Sequence, residues 1–138
     1  MGNVLYPKWK EGLLGGNANC ALTGSGTTGL YAILVDTAVY TYNPAHQFYS
    51  SLAGTAGTEQ EITAVTLTNG IVDGNNVTYL SVAAGPNLEA IVLFRKNAGA
   101  SSTWPLVCYL DTGVTNLPVT PNGGDIAIVW NVAGIFGL

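Results

Sequence analysis

Short apolar runs alternate with Gly, Asn, Thr and Pro along most of the chain. Runs of strand length between turn-forming residues are typical of an antiparallel sandwich or small barrel. In one such run Val65 and Leu67 share a face, with Thr66 and Thr68 on the other. The pattern predicts these strands, of which the last is the weakest: Leu30–Asp36, Ile62–Thr68, Val77–Val82, Glu89–Arg95, Pro105–Asp111, Asp125–Val132 and Val39–Tyr42.

Two short helices are also predicted. The segment Pro7–Leu14 has a proline at its start and a glycine pair after its end, both typical of helix boundaries. The segment Asn43–Tyr49 begins with a good N-cap residue followed by proline. Gly-rich stretches at 12–29 and 53–58 are interpreted as mobile loops. The fold class is therefore predicted to be mostly β, an antiparallel β-sandwich or small barrel with one or two short helices, in a single domain over residues 1–138.

Composition narrows the class of protein. Charged residues make up 9 % of the chain and hydrophobic residues 48 %, whereas a typical protein has about 25 % charged residues. This balance excludes intrinsic disorder, which needs few apolar and many charged residues. A net charge of −4 with four basic residues predicts no nucleic-acid partner, because phosphates are bound by basic patches. No apolar run reaches the roughly 18 residues of a membrane span, so no membrane association is predicted.

The residues predict no catalytic constellation, so we expect no enzyme. Residues 24–29 match the pattern GxGxxG, but a strand rather than a helix is predicted to follow them, which favours a loop over a dinucleotide site. His46 is the only histidine, and we expect it to be structural or exposed. The carboxylates mostly fall at predicted strand ends or in loops, where turn formation explains them; Glu59 and Glu61 are expected to be solvated.

Metal and cofactor sites are not predicted either. Cys20 and Cys108 are isolated in the sequence and are expected to be unpaired and mostly buried, with a single disulfide as the alternative. Asp73 and Asn75 offer oxygen ligands suited to calcium, but the segment lacks the Glu that completes an EF-hand loop. No secretory signal is predicted from the N-terminal residues.

The chain has more apolar residues than the two inner faces of a β-sandwich should need. All five residues from Leu106 to Leu110 are apolar or aromatic, and the segment 132–138 is apolar to its end. Strands that are apolar on both faces need cover on both faces, so we expect copies of this chain or a larger partner to cover the surplus. Trp130 alternates with Ile126 and Ile128 and is predicted to be in the core.

Contact residues are expected in both terminal segments and at one tryptophan. Trp9 and Trp104 lie beside proline or charged residues, which makes them better candidates than Trp130 for contacts outside the core. The candidate partner contacts are Tyr6, Trp9, Trp104, Ile135 and Phe136.

Several strings in the chain resemble a family of small structural proteins from the virions of tailed bacteriophages. They occur in the expected order over nearly the whole chain, and they are more specific as a set than singly. The strings are Leu5–Glu11, Leu34–Thr37, Tyr40–Phe48, Glu89–Leu93 and Leu117–Ile126.

The resemblance implies a role in the virion, after assembly in the host cytoplasm, and it names no catalytic residues or cofactors. The role it implies first is a capsid cement or decoration protein. Its partners would be the major capsid protein or other virion proteins, and homo-oligomers such as trimers would suit an icosahedral lattice. A tail, neck or baseplate component is an alternative. A carbohydrate-binding module is another, and solvent-facing aromatic rings would be its mark.

Overall fold

The computed structural model describes residues 2–23 and 28–138. Its strands pair antiparallel, and the predicted class, a mostly β, sandwich-like fold with a short helix, is confirmed. The strands are, in chain order, β1 Val4–Leu5, β2 Gly29–Val35, β3 Thr55–Glu61, β4 Thr66–Thr68, β5 Ile71–Asp73, β6 Val77–Tyr79, β7 Ala90–Lys96, β8 Leu106–Leu110, β9 Ile126–Ile128 and β10 Phe136–Gly137.

The predicted first helix is confirmed as α1, Pro7–Leu14, with proline in its first turn. Single 3₁₀ turns follow at Ala18–Cys20, Tyr49–Ser51 and Ser101–Thr103. None of the helices in the described residues combines the length and apolar character needed to cross a bilayer.

The strands form three sheets of unequal size. The largest has five strands in the order β1-β8-β7-β2-β3, a second has the order β10-β5-β4, and β6 pairs with β9. In the large sheet Ile33 of β2 lies opposite Val92 of β7, which lies opposite Tyr109 of β8. The buried apolar residues of all three sheets and of α1 form one hydrophobic cluster.

Other segments of the same chain cover β8, the apolar strand for which a covering partner is predicted. Every residue from Leu106 to Leu110 is buried. The ring of Tyr42 packs 5.9 Å from that of Tyr109, on one face of β8. Leu110 lies on the other face, beside Trp130 and Ile135. The expectation of surplus apolar surface in this strand is therefore wrong, because α1 and irregular segments of the chain cover it.

The accessible surface of the whole chain leads to the same correction. It measures 6528 Å², close to the roughly 6,800 Å² expected for a folded monomer of this mass. A chain with a poorly covered core would expose considerably more.

The prediction of a second helix at Asn43–Tyr49 is wrong. The Asn43 side chain accepts a hydrogen bond from the Ala45 amide at 2.8 Å, but a single turn follows and the chain becomes extended at Phe48. Phe48 then bridges to Pro105, and the Tyr49 ring packs 4.6 Å from that of Phe94. Tertiary packing of these aromatic residues outweighs the local helix-start signal.

Two other predicted segments also differ from the structure. The predicted loop at 53–58 is wrong, because Thr55–Glu61 is the edge strand β3, in which Gly57 has a positive φ of 77°. Segment Val39–Tyr42 is not a strand, since the amides of Val39 and Tyr40 both donate to the carbonyl of Asp36 in a turn.

Three predicted strands are shorter than expected. Residues with positive φ, namely Ala64 and Ser81, follow β3 and β6. They divide the predicted strand Ile62–Thr68 and end the predicted strand Val77–Val82 early, because such backbone does not continue a strand. Strand β9 is also shorter than predicted, although Trp130 is buried on the side shared by Ile126 and Ile128, as expected.

Candidate functional site

Three of the five predicted contact residues lie in the core. Tyr6 is 0 %, Trp9 1 % and Ile135 7 % exposed. The expectation that Trp9 lies outside the core is wrong, because the helix that carries it packs on β8. The indole Nε1 of Trp9 donates to the Cys20 carbonyl at 2.8 Å. As placed, these side chains serve the domain's own packing.

The two terminal segments lie against each other in the fold. The ring of Trp9 contacts that of Phe136 edge-on, with centroids 5.9 Å apart and planes at 87°. Ile135 donates its amide to Val72 of β5 at 2.8 Å. Gly134 has a φ of 116°, and a Cβ there would collide with the Ile71 side chain. Glycine at this position thus lets the C-terminal segment lie against β5.

Trp104 belongs to a different cluster. Its ring stacks on Phe94 with centroids 5.8 Å apart and planes at 10°. The ammonium of Lys96 lies 4.9 Å from the Trp104 centroid and donates a hydrogen bond to Glu59 at 2.9 Å. The indole nitrogen of Trp104 donates to Gly99 at 3.0 Å. The partly exposed indole of Trp104 is therefore already engaged by other groups of the same chain.

An apolar groove lies where α1, the β4–β5 hairpin and the C-terminal residues meet. We call it the hairpin groove, and it has a volume of about 280 Å³. None of the described side chains that line it is charged. They are Trp9, Leu13, Ala21, Leu22, Thr23, Leu67, Gly70, Ile71, Val72 and Leu138.

A two-residue turn shapes the hairpin wall of this groove. Thr68 and Ile71 are paired across the hairpin, and Asn69 and Gly70 between them have positive φ angles of 54° and 76°. Asn-Gly is the preferred sequence for such a type I′ turn, because both central residues need positive φ. The sequence carries this hairpin signal, and the predicted continuous strand up to Thr68 takes no account of it.

The rim of the hairpin groove is exposed. Leu67 is 57 %, Ile71 39 % and Leu138 67 % exposed. Leu14, next to the groove residue Leu13 at the end of α1, is 87 % exposed. Large apolar side chains gathered around a hollow with uncharged side chains form a surface whose burial against another apolar surface is favourable.

Asp36 and Asp73 serve local turns, as the sequence predicts, whereas Asp125 and Glu89 accept hydrogen bonds from segments distant in the chain. Asp36 accepts from the Ala38 amide at 2.8 Å, Asp73 from Gly74 at 2.9 Å and Asp125 from Ser81 at 2.8 Å. Glu59 differs from its predicted solvated state, because it lies in β3, is partly buried and pairs with Lys96. No group of three or more His, Cys, Asp or Glu side chains in the described residues could hold a metal ion.

His46 ends a chain of hydrogen bonds that begins in the core. The Tyr6 and Tyr40 hydroxyls lie 2.8 Å apart, and the Tyr40 hydroxyl lies 2.9 Å from His46 Nδ1. Burial, and then the hydrogen bond with Tyr40, raises the pKa of Tyr6 well above its ordinary value. The histidine thus has the structural role that the sequence predicts.

Both cysteines are free and buried, which confirms the expectation of unpaired thiols. Burial raises the pKa of Cys108 to about 12. Burial also raises the pKa of Cys20, against the opposing effect of the Arg95 charge. Because the thiolate is the reactive form, neither residue resembles an activated nucleophile.

Residues 24–27 of the GxGxxG match lie outside the described residues. The segment that follows them is strand β2, which begins at Gly29. A strand in this place lacks the helix N-terminus that a dinucleotide pyrophosphate requires.

Searches against protein-family models, curated proteins and solved structures find no match to this chain.

Proposed function

We propose that this chain is a structural protein of a tailed-bacteriophage virion that decorates and stabilises the capsid, with its hairpin groove against a subunit of the shell. The observation that carries the proposal is the hairpin groove itself. The domain's core is covered, and at its margin Leu67, Ile71 and Leu138 are exposed around a hollow whose lining side chains are uncharged.

The strength expected of one such contact fits a repeated structure. Full burial of a large apolar side chain contributes about 1.5–3 kcal/mol, and the three rim residues are between 39 % and 67 % exposed. Covering them therefore contributes on the order of 3 kcal/mol, which by itself is weaker than millimolar binding. Useful occupancy requires further contacts or linked copies, and a shell with many identical sites allows linked copies to bind together.

The resemblance to phage virion proteins supports the same conclusion. One resembling string, Leu5–Glu11, forms part of β1 and much of α1, and it includes Trp9 in the groove lining. Self-association, for which a trimer suits an icosahedral shell, remains part of the proposal. A partner that binds only the assembled shell would stabilise it by mass action.

The aromatic residues favour this role over a carbohydrate-binding module. Trp9 and Trp130 are 1 % and 4 % exposed. Trp104 is contacted by Phe94 and by the Lys96 ammonium. The three tryptophans therefore do not form a platform of free rings on which a sugar could stack.

The proposal is tested by binding the purified chain to heads that lack it. The rim variant Leu67→Ser with Leu138→Ser removes exposed apolar groups and leaves the core intact. The control variant Leu80→Ser with Val132→Ser changes residues that are 69 % and 102 % exposed and lie outside the groove lining. We expect the rim variant to lose about tenfold in affinity, or roughly 1.4 kcal/mol, and the control to bind like the unmodified chain.

Equal binding by both variants would remove the groove from the proposal. Binding of the unmodified chain to tails rather than heads would favour the tail, neck or baseplate alternative, and binding to neither would overturn the virion role. Deletion of residues 1–10 is not a suitable test, because it removes the core side chains of Tyr6 and Trp9.

A further inference from the structure

The chain contains two Asn-Gly pairs in turns, Asn69-Gly70 and Asn122-Gly123. In such a pair the glycine amide nitrogen can attack the asparagine side-chain carbonyl carbon, since glycine lacks a side chain that would hinder the approach. The reaction requires a free amide nitrogen and a free asparagine side chain. The two pairs differ in both respects.

Both reacting groups of the second pair are engaged. The Gly123 amide donates to the Val82 carbonyl at 2.7 Å. The Asn122 Oδ1 accepts from the Gly124 amide at 3.0 Å. Attack at Asn122 would first have to break both hydrogen bonds, one of which connects the turn to the segment after β6.

The first pair has neither restraint. Among the described residues, the Asn69 side chain and the Gly70 amide have no hydrogen-bond partner. Both residues are exposed, and so is every residue of the adjoining strand β4. Strand β4 is at the edge of its sheet and is joined to β5 by the pairs of Thr66–Thr68 with Ile71–Asp73, and short exposed pairings open at low cost in free energy.

We propose that Asn69 is a site of spontaneous deamidation and isoaspartate formation. The Gly70 nitrogen bonds to Cγ of Asn69, and the side-chain nitrogen leaves as ammonia with the proton that Gly70 gives up. Water then opens the resulting succinimide at either carbonyl, to aspartate or to isoaspartate. The step needs only water and mild base, and it is independent of the function proposed above.

The product changes the hairpin groove. Isoaspartate lengthens the backbone by one carbon, inside a turn in which both central residues have positive φ. The Gly70 carbonyl of that turn accepts a hydrogen bond from the Leu138 amide at 2.9 Å. The isoaspartate product therefore loosens the contact between the hairpin and Leu138, and both products add a negative charge beside a groove whose side chains are uncharged.

The test compares the two asparagines in one sample. Folded protein and protein unfolded in urea are incubated at mildly alkaline pH, and the mass and isoaspartate content of each Asn-Gly peptide are followed with time. In urea the two sites should react at comparable rates. In the folded protein we expect Asn69 to react at least about tenfold faster than Asn122, a difference of roughly 1.4 kcal/mol in opening free energy.

The variant Asn69→Gln serves as the control, because glutamine would have to form a larger ring. It should lose the reaction at position 69 and leave the rate at Asn122 unchanged. Equal rates at the two sites in the folded protein, or a faster reaction at Asn122, would overturn the proposal. So would an Asn69 that reacts in urea but stays intact in the folded protein over the same period.

Discussion

Strand β8 and the β4–β5 hairpin differ in how well the apolar character of their sequence predicts their burial. Strand β8 is apolar throughout and every residue in it is buried. Strand β4 is Thr66-Leu67-Thr68, an ordinary alternating sequence, yet its central leucine is 57 % exposed. A long apolar run thus indicates a strand with neighbours on both faces, whereas a short strand at the margin of the fold can leave an apolar side chain exposed.

The largest expected effect is on the free energy of unfolding, which should respond to truncation of a leucine in the central sheet but not in the hairpin. Leu93 of β7 is 0 % exposed, so Leu93→Ala leaves a cavity and should lower the free energy of unfolding by about 2–5 kcal/mol. Leu67→Ala removes exposed atoms and should change it by less than about 0.5 kcal/mol. Urea denaturation of both variants measures the difference. Similar losses for the two would mean that the hairpin is as much a part of the core as the central sheet.

Alkaline pH should also act on the central sheet. Burial raises the pKa of Cys108 from 9.0 to about 12, so the unfolded chain releases this proton before the folded one does. The stability from this group is complete below pH 9 and is lost as the pH rises toward 12, by about 1.4 kcal/mol per pH unit.

Denaturation curves between pH 8 and 11 test this sign. Cys108→Ala should be less stable near neutral pH because it leaves a small cavity, and the difference from the unmodified chain should shrink as the pH rises. A constant difference would show that the thiol does not ionise on unfolding in this range. The tyrosines also contribute an alkaline loss, since burial raises the pKa of Tyr49 to about 12, but they are present in both proteins.

The C-terminal segment lies against β5 because the backbone at Gly134 can approach Ile71 closely. Gly134→Ala would place a methyl group against Ile71 at a φ of 116°, and strain of this kind costs about 1–3 kcal/mol. We expect β10 to separate from β5 while the large sheet stays folded. Faster amide exchange at Ile135 and Leu138 in the variant, with unchanged exchange in β7, would support this expectation; exchange that rises equally in both strands would not.

The smallest effect compares two buried tyrosines. Tyr6 shares a hydrogen bond with Tyr40, so Tyr6→Phe should lower the free energy of unfolding by about 1 kcal/mol. The Tyr79 hydroxyl is buried with no hydrogen-bond partner in the described residues. Tyr79→Phe should therefore be neutral or raise stability by up to about 1 kcal/mol. A loss at position 79 equal to that at position 6 would point to a bound water on the Tyr79 hydroxyl.

The strongest elements can be predicted from sequence because their signals are local. Proline at the start and glycines after the end define α1, and runs of branched and aromatic residues define β2, β7 and β8. The helix prediction for Asn43–Tyr49 is wrong because the aromatic residues of this segment pack on Phe94, a contact distant in sequence. Strand β3 is not predicted, because its segment contains glycines with positive φ and so has the composition of a loop.

The candidate site is only partly predictable for the same reason. The terminal segments are expected to contact a partner, and that expectation stays a prediction; within the fold they contact each other at Trp9 and Phe136. Their burial depends on how α1 packs on β8, which no local pattern encodes. The Asn69-Gly70 turn is encoded locally and can be predicted, and with it the hairpin that carries Leu67.

The central claim is that the hairpin groove is the surface this chain presents to the virion shell. Hydrogen exchange of the free chain and of the chain bound to purified heads tests it most directly. We predict slower exchange on binding in residues 66–72 and at Leu138, with no change in β6 and β9. Protection confined to β6 and β9, or bound chain with no protection in the hairpin, would contradict this claim.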